Sequence, residues 1–334
     1  MPSQILHTLF GEDVMNGLNS GPSVNDGAFV LGCQGPDIFY HNRRTRPVAI
    51  EYGSLLHRRG YGTFCAQLLA MGGHDPQLRA YALGFMTHAI LDRFCHPYIV
   101  YKSVSLRPEN TTESGIYHPF FERVIDVLML GELRRLELSG WNQKTLVEMC
   151  ENPPQGVKEL LVHSLTAVYP ERTDLDEKLS LRIDNAFADS ARYYRMSEPA
   201  NTGREQGLPV NRSYLSLIFP LNLPTTVDFL NLRGEPWYYP YRPLGGAVPA
   251  ADYRSFVQVY SDAVDAAVRS LLPCVMSNHI DTVAGNIGDG CLSIHDEYGR
   301  HCAPNCTSPL PLERVLQDQA DLRNLSTNYA NANE

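Results

Sequence analysis

Lysine is nearly missing from this sequence: Lys102, Lys144, Lys158 and Lys178 are the only four in 334 residues, and the formal charge is −9. Phosphate backbones are held mainly by Lys and Arg, so this balance counts against a binder of long nucleic acids. It does not exclude a phosphate substrate. Bound divalent cations do not enter such a sum, and three carboxylates around two or three of them make a net positive site. Long apolar runs are absent too. No stretch approaches the eighteen or so residues of a membrane-spanning helix, and "LPVNRSYLSLIFPLNLP" (208–224) is broken by Arg212 and by prolines. A peripheral membrane contact is left open. The start "MPSQILHTLFGEDVMNG" has no basic segment before its short apolar stretch, so a cytoplasmic location is expected rather than secretion. With that location, the eight cysteines are expected to be reduced thiols rather than a disulfide framework.

Strand-like alternation is rare, and apolar residues recur mostly at helical spacing. The 43% hydrophobic and 19% charged fractions are those of an ordinary globular protein. The spacing predicts helices over 3–17, 53–71, 78–96, 119–138, 155–168, 174–196 and 251–276. Turn-rich segments at 32–37, 71–76 and 151–156 separate several of them. The expected architecture is all-α: one multi-helix domain over 1–285, then a partly ordered tail over 286–334 that contains Cys and Asn.

Within "THAILDRFCHPY" (87–98), His88, Asp92 and His96 follow one another at four-residue intervals. Positions four apart share a helix face, so His88 and Asp92 can present an imidazole and a carboxylate to one ion. Pro97 disfavours helical geometry at the residue before it. His96 is therefore expected at the helix end, turned toward a second ion. A second pair, His118 and Glu122, lies in "GIYHPFFERVIDVLML", where Pro119 suits the first helical position. Either pair alone would be an ordinary side-chain pair. Two such pairs in apolar helices, with His96 besides, favour a metal site, because buried carboxylates are costly without a cation or hydrogen bonds.

Upstream lie His7 on the first predicted helix, Asp37 after the Gly35-Pro36 turn and His57 after "GSLL". Singly these would be a structural histidine, a turn residue and a helix-surface histidine. In order and context, "ILHTLF", "GPDIF", "GSLLH", "GFMTHAILDRFCHPY" and "YHPFFE" resemble the zinc-dependent phospholipase C family, related to the three-zinc nucleases that cut single strands. A weaker likeness, carried by "VDFLNLRGEPWYYP" (227–240), extends toward residue 275.

The resemblance implies a helical bundle with two or three zinc ions in a cleft. Carried over residue by residue, it implies His57, His88, Asp92 and Asp37 around one zinc, and Asp92 bridging to a second held by His7. His96, His118 and Glu122 would hold the remaining ion. Asp37 would also be the general base or the residue orienting the attacking water. Imidazole and carboxylate suit Zn²⁺, which activates water and clamps phosphate oxygens. The expected activity is phosphodiester hydrolysis of phospholipase C type, on a phospholipid or other phosphodiester. A single-strand nuclease or phosphomonoesterase with the same cluster is one alternative, and a non-catalytic protein stabilised by metal is another.

Two departures from the secreted phospholipases stand out. There an N-terminal Trp supplies zinc ligands, whereas this chain begins Met1-Pro2, leaving that role to Pro2 after Met removal or to no residue. There also a Pro stands four, and the next His six, residues after the bridging Asp; here His96 comes four after Asp92 and Pro97 five. Other residues fall outside the scheme. His41, beside Arg43 and Arg44, is read as a solvated loop residue rather than an alternative ligand. Cys291, His295, His301, Cys302 and Cys306 lack the paired knuckles of a zinc module, so a Cys-containing loop is expected there. Phe256, Val259, Tyr260, Val264 and Val268 are read as core packing.

Overall fold

The computed structural model describes residues 4–19, 26–105, 114–198, 219–220, 223–238, 250–277 and 280–292, with the backbone alone at 104–105, 114–117, 276–277 and 280–281. In chain order its helices are α1 (Gln4–Leu18), α2 (Gly27–Cys33), α3 (Asp37–His41), α4 (Ile50–Arg58), α5 (Tyr61–Gly72), α6 (Pro76–Ser105) and α7 (Ser114–Arg134). They continue with α8 (Lys144–Glu151), α9 (Val157–Val168), α10 (Pro170–Thr173), α11 (Leu179–Met196), α12 (Phe256–Ser277) and α13 (Ile280–Ile287). The only strands among the described residues, β1 (Trp237–Tyr238) and β2 (Ala251–Asp252), pair antiparallel with Trp237 opposite Asp252. The fold is all-α, as its apolar spacing predicts.

Helix α6 is the axis. It is apolar on nearly every side, which suits a helix enclosed by others, and α1, α2, α5, α7 and α12 all pack on it. The closest approach is to α2. A β-carbon at Gly84 would strike the carbonyl of Phe29, and one at Gly32 the carbonyl of Tyr81. The two backbones are therefore in direct contact where both residues are glycine. His88 stands one turn beyond Gly84.

Several boundaries differ from the periodic reading. The helix expected over 53–71 is two, α4 and α5, broken at Gly60, whose φ of +73° lies in the left-handed region. Helix α6 does not end at His96 but continues through Pro97 to Ser105. An interior proline costs about 3 kcal/mol. Beyond it Tyr98 and Ile99 are buried, and Tyr98 packs on Phe121, Trp237 and Phe256. Burial of a large apolar side chain is worth roughly 1.5–3 kcal/mol, so packing outweighs the break. In the same way α7 begins at Ser114, before Pro119, and His118 is in its second turn rather than at its start. Helices α2, α3, α8, α10 and α13 fall outside the predicted spans, each being shorter than the window of about eleven residues over which helical periodicity is read.

The "LNLRGEPW" segment is a packing device. Asn231, at φ +56°, donates from Nδ2 to the carbonyls of Glu235, Tyr253 and Arg254, while Trp237 Nε1 donates to the Arg254 carbonyl at 3.0 Å. Tyr98 donates to the Phe229 carbonyl at 2.7 Å, which ties this knot to α6. The stripe on α12 is core, with Phe256, Val259 and Tyr260 buried and Val264 and Val268 packed against the cluster. The residues 286–292, read as the start of the tail, lie in contact with α4, α5 and α6. Cys302, Cys306, His295 and His301 lie outside the described residues, as does the rest of the tail.

Candidate metal centre

Five helices deliver eight side chains to one place. His7 comes from α1, Asp37 from the first position of α3, His57 from the end of α4, His88, Asp92 and His96 from α6, and His118 and Glu122 from α7. All but His118 are buried, and the His118 side chain is 25% exposed, so the cluster opens to solvent on that side. The three turns of α6 supply its spine. Gly35, at φ +54°, lets the α2–α3 turn lie on the His88 ring, where a β-carbon would overlap it. This turn carries Asp37 in beside His88.

Asp92 is the junction. Its Oδ2 lies 3.3 Å from His88 Nε2 and 3.6 Å from His57 Nε2, while its Oδ1 lies 3.4 Å from His7 Nε2 and 3.8 Å from His96 Nε2. Asp37 Oδ1 is 3.2 Å from His57 Nε2, and its Oδ2 is 3.8 Å from His88 Nε2. Glu122 Oε1 is 2.9 Å from His118 Nε2 and 3.4 Å from His96 Nε2. Three sets of donor atoms, each converging within 4.8 Å, could hold an ion: His7, His88 and Asp92; Asp37, His57 and His88; His96, His118 and Glu122. The expected residues are thus all brought together.

The chemistry of these donors fits zinc, which takes imidazole nitrogen and carboxylate oxygen. His88 is wholly buried and neither ring nitrogen makes a hydrogen bond; His7 Nδ1 is likewise unsatisfied. A buried polar group left this way costs about 1–3 kcal/mol, and a cation at His88 Nε2 would relieve that cost for the nitrogen it binds. Among the described residues, only histidines form ion pairs with Asp37 and Asp92. Burial would raise the Asp37 carboxyl, but His88 and His57 hold it down at about 2. Asp92 lies below the usual carboxylate range for a similar reason, burial being outweighed by His96, His88 and His7; Glu122 is lowered too, with His118 and His96 among the groups that outweigh its burial. His96 is pushed up to about 9, its burial overcome by Asp92 and Glu122, while burial lowers His88 and His118. The carboxylates therefore stay ionised and call for positive partners.

Two histidines have their outer nitrogens fixed. His57 Nδ1 is 2.8 Å from the Gly53 carbonyl and His96 Nδ1 is 3.3 Å from the Leu292 carbonyl. A carbonyl only accepts, so each Nδ1 carries a proton, which leaves Nε2 as the nitrogen that can be offered to a metal. Further supports have no signature in the sequence. Asp126 of α7 accepts from Leu6 N–H at 2.8 Å and Ile5 N–H at 3.4 Å, so the helix bearing Glu122 also holds the start of the helix bearing His7. In the sequence Asp126 is only an acid four residues after Glu122, with nothing to mark it as buried. Gln34 Nε2 donates to the Gln4 carbonyl and Thr8 Oγ1, tying α1 to the α2–α3 turn.

His41 is not a solvated loop residue. It is buried, stacked on Tyr193 with ring centroids 4.0 Å apart, and its Nδ1 is 3.1 Å from Ser190 Oγ. It belongs to the α3–α11 contact, outside the three donor sets. Cys33, Cys65, Cys95, Cys150, Cys274 and Cys291 are unpaired buried thiols.

Residues 6–163 match the family model described as zinc dependent phospholipase C, a span that contains all eight cluster residues. Neither a curated protein nor a solved structure matches the chain.

Proposed function

Because residues 6–163 match the zinc dependent phospholipase C family, we propose a zinc-dependent hydrolase of phosphodiester bonds, with water as the nucleophile. A phospholipid or similar head group is its default substrate. The observation that carries this reading is the division of the Asp92 oxygens between histidines of neighbouring donor sets. A carboxylate shared in this way brings two cations to one phosphate.

Asp37, His57, His88 and Asp92 would hold one zinc, His7 with Asp92 a second, and His96, His118 and Glu122 another. Zinc held there supplies Lewis-acid polarisation of phosphoryl oxygens and acidifies water. The chain supplies acceptors, orientation and dryness. Asp37, held ionised by His88 and His57, accepts a hydrogen bond from the attacking water at an Oδ atom and so orients it. Among the described residues the other seven cluster side chains are buried, and the substrate enters on the His118 side, which is partly open to solvent.

The test is elemental analysis of the purified chain, followed by assay with bis(p-nitrophenyl) phosphate, phospholipid vesicles, a single-stranded oligonucleotide and a phosphomonoester. Bound zinc and cleavage of the diester and the phospholipid are expected. Faster cleavage of the oligonucleotide at low salt would make the protein a nuclease, and preference for the monoester would make it a phosphomonoesterase. Zinc without turnover on any ester would leave a structural cluster, and protein without zinc after growth in its presence would remove the scheme altogether. Asp37→Ala is expected to abolish turnover with zinc content largely intact; loss of zinc as well would show Asp37 to be chiefly a ligand.

A further inference from the structure

Beyond the family-matched span, the chain returns to the cluster as a short strap. It leaves α13 at Gly288, whose φ is +78°, and runs to Leu292 across the ends of α4 and α5. Arg93, next to Asp92 on α6, spends its guanidinium on this strap. It donates to the carbonyls of Gly288 at 3.0 Å, Gly290 at 2.9 Å and Cys291 at 3.2 Å, and also to that of Ile287. From the other side Asp289 accepts from Thr63 N–H at 2.7 Å and Thr63 Oγ1 at 2.6 Å. The strap is thus clamped between α6 and the start of α5.

What the clamp holds is Leu292. Its N–H donates to the His57 carbonyl at 2.8 Å, and its carbonyl faces His96 Nδ1 at 3.3 Å. One residue therefore links backbone of α4 to an imidazole of α6, about 200 positions away in sequence from the latter. Without that carbonyl, His96 could turn or exchange its tautomer, and its Nε2 would no longer be fixed toward Glu122 and Asp92.

We propose that Arg93 is a positioning residue for the ion held by His96, His118 and Glu122: by gathering the strap carbonyls it fixes Leu292, and Leu292 fixes the His96 ring. This rests on the zinc reading above. The strap also binds the His57 carbonyl, but the His57 ring is set within α4 by the Gly53 carbonyl, and His88 lies against the Gly35 turn. Loss of the clamp therefore acts on one ion and not on all.

The experiment compares full-length wild type, Arg93→Met, Arg93→Lys, Asp289→Ala and His118→Ala, each loaded with zinc and titrated with a chelator. His118→Ala serves as the reference for loss of that ion. Arg93→Met is expected to weaken one ion by about ten- to a hundredfold, with Arg93→Lys between it and wild type. Arg93→Met should remove nothing further in the His118→Ala background. In ¹⁵N-histidine spectra, the His96 Nδ1–H of wild type should be protected from solvent exchange, and that of Arg93→Met should not. A folded Arg93→Met with unchanged zinc affinity and a protected Nδ1–H overturns the proposal, as does weakening spread equally over every ion. If Arg93→Met does not fold, Asp289→Ala loosens the strap from its other end and is judged by the same criteria. Wild-type protein that has no ion for His118→Ala to remove would defeat the zinc reading of this donor set itself, a different outcome from an unaffected Arg93 variant.

Discussion

The two ends of the cluster are built by different means. The inner set, Asp37, His57 and His88, is fixed by backbone packing: α2 and α6 touch through Gly32 and Gly84, and the Gly35 turn lies on the His88 ring. The outer set, His96, His118 and Glu122, depends on side chains from two helices, a strap distant in sequence and one histidine open to solvent. Geometry set by close packing goes only when the fold goes. Geometry set by individual hydrogen bonds near the surface can be lost in a local opening. The inner end is thus the more permanent, and the outer end the more readily emptied.

Breaking the junction should have the largest effect. Asp92→Ala removes the one group facing histidines of both ends, so turnover should fall to background and zinc content below that of either His57→Ala or His118→Ala. Assay and elemental analysis of the three variants together would check it; zinc content no lower than in His118→Ala would show that Asp92 does not join the two ends. Next comes Gly35→Ala. A non-glycine residue in left-handed geometry costs about 1–2 kcal/mol, and the new β-carbon would also displace His88. Denaturant unfolding should show at least that loss, with zinc lost from the inner set while His118→Ala still removes a further ion. Retention of inner zinc at wild-type affinity would mean the turn does not position His88. Smaller again is the effect of graded chelation on wild type. One ion should leave before the rest, with helical circular dichroism unchanged, and it should be the ion missing from His118→Ala; simultaneous release of all ions would abolish the distinction between the two ends.

The same contrast decides what could be read from the sequence. The eight cluster residues were legible because a helix converts four-residue spacing into a shared face, and because the motif order of the family lies over residues 7–122. The all-α class was legible from apolar spacing. Pro97 misled: its local cost is real, but it is smaller than the burial of Tyr98 and Ile99 beyond it, and no window of neighbouring residues contains that information. Arg93, Leu292 and Asp126 were not legible because they act on, or through, backbone groups of segments distant in sequence. A carbonyl looks the same whatever residue bears it. The support of the inner set could be glimpsed as glycines, whereas that of the outer set had no residue signature.

His41 lies beside the inner end without belonging to it, and it offers the finest test of where that end stops. Burial lowers its pKa from 6.5 to about 3, so it is neutral in the folded protein at pH 7. On acidification the unfolded chain takes up this proton near pH 6.5, while the folded chain does not until about pH 3. The unfolded state therefore binds more protons across that window, and stability falls as the pH is lowered through it. At pH 5.5 the loss from this one group is about 1 kcal/mol relative to pH 7. His41→Phe can keep the stack on Tyr193, and Ser190 Oγ still donates to the Ile38 carbonyl at 3.1 Å. Compared by denaturant unfolding of the zinc-loaded proteins at pH 7 and 5.5, the variant should lose less stability than wild type by about that amount. Its zinc content should be unchanged. A missing ion in His41→Phe would extend the inner set to the α3–α11 contact, and an unaltered pH dependence would show that His41 takes up its proton in the folded state near its ordinary value.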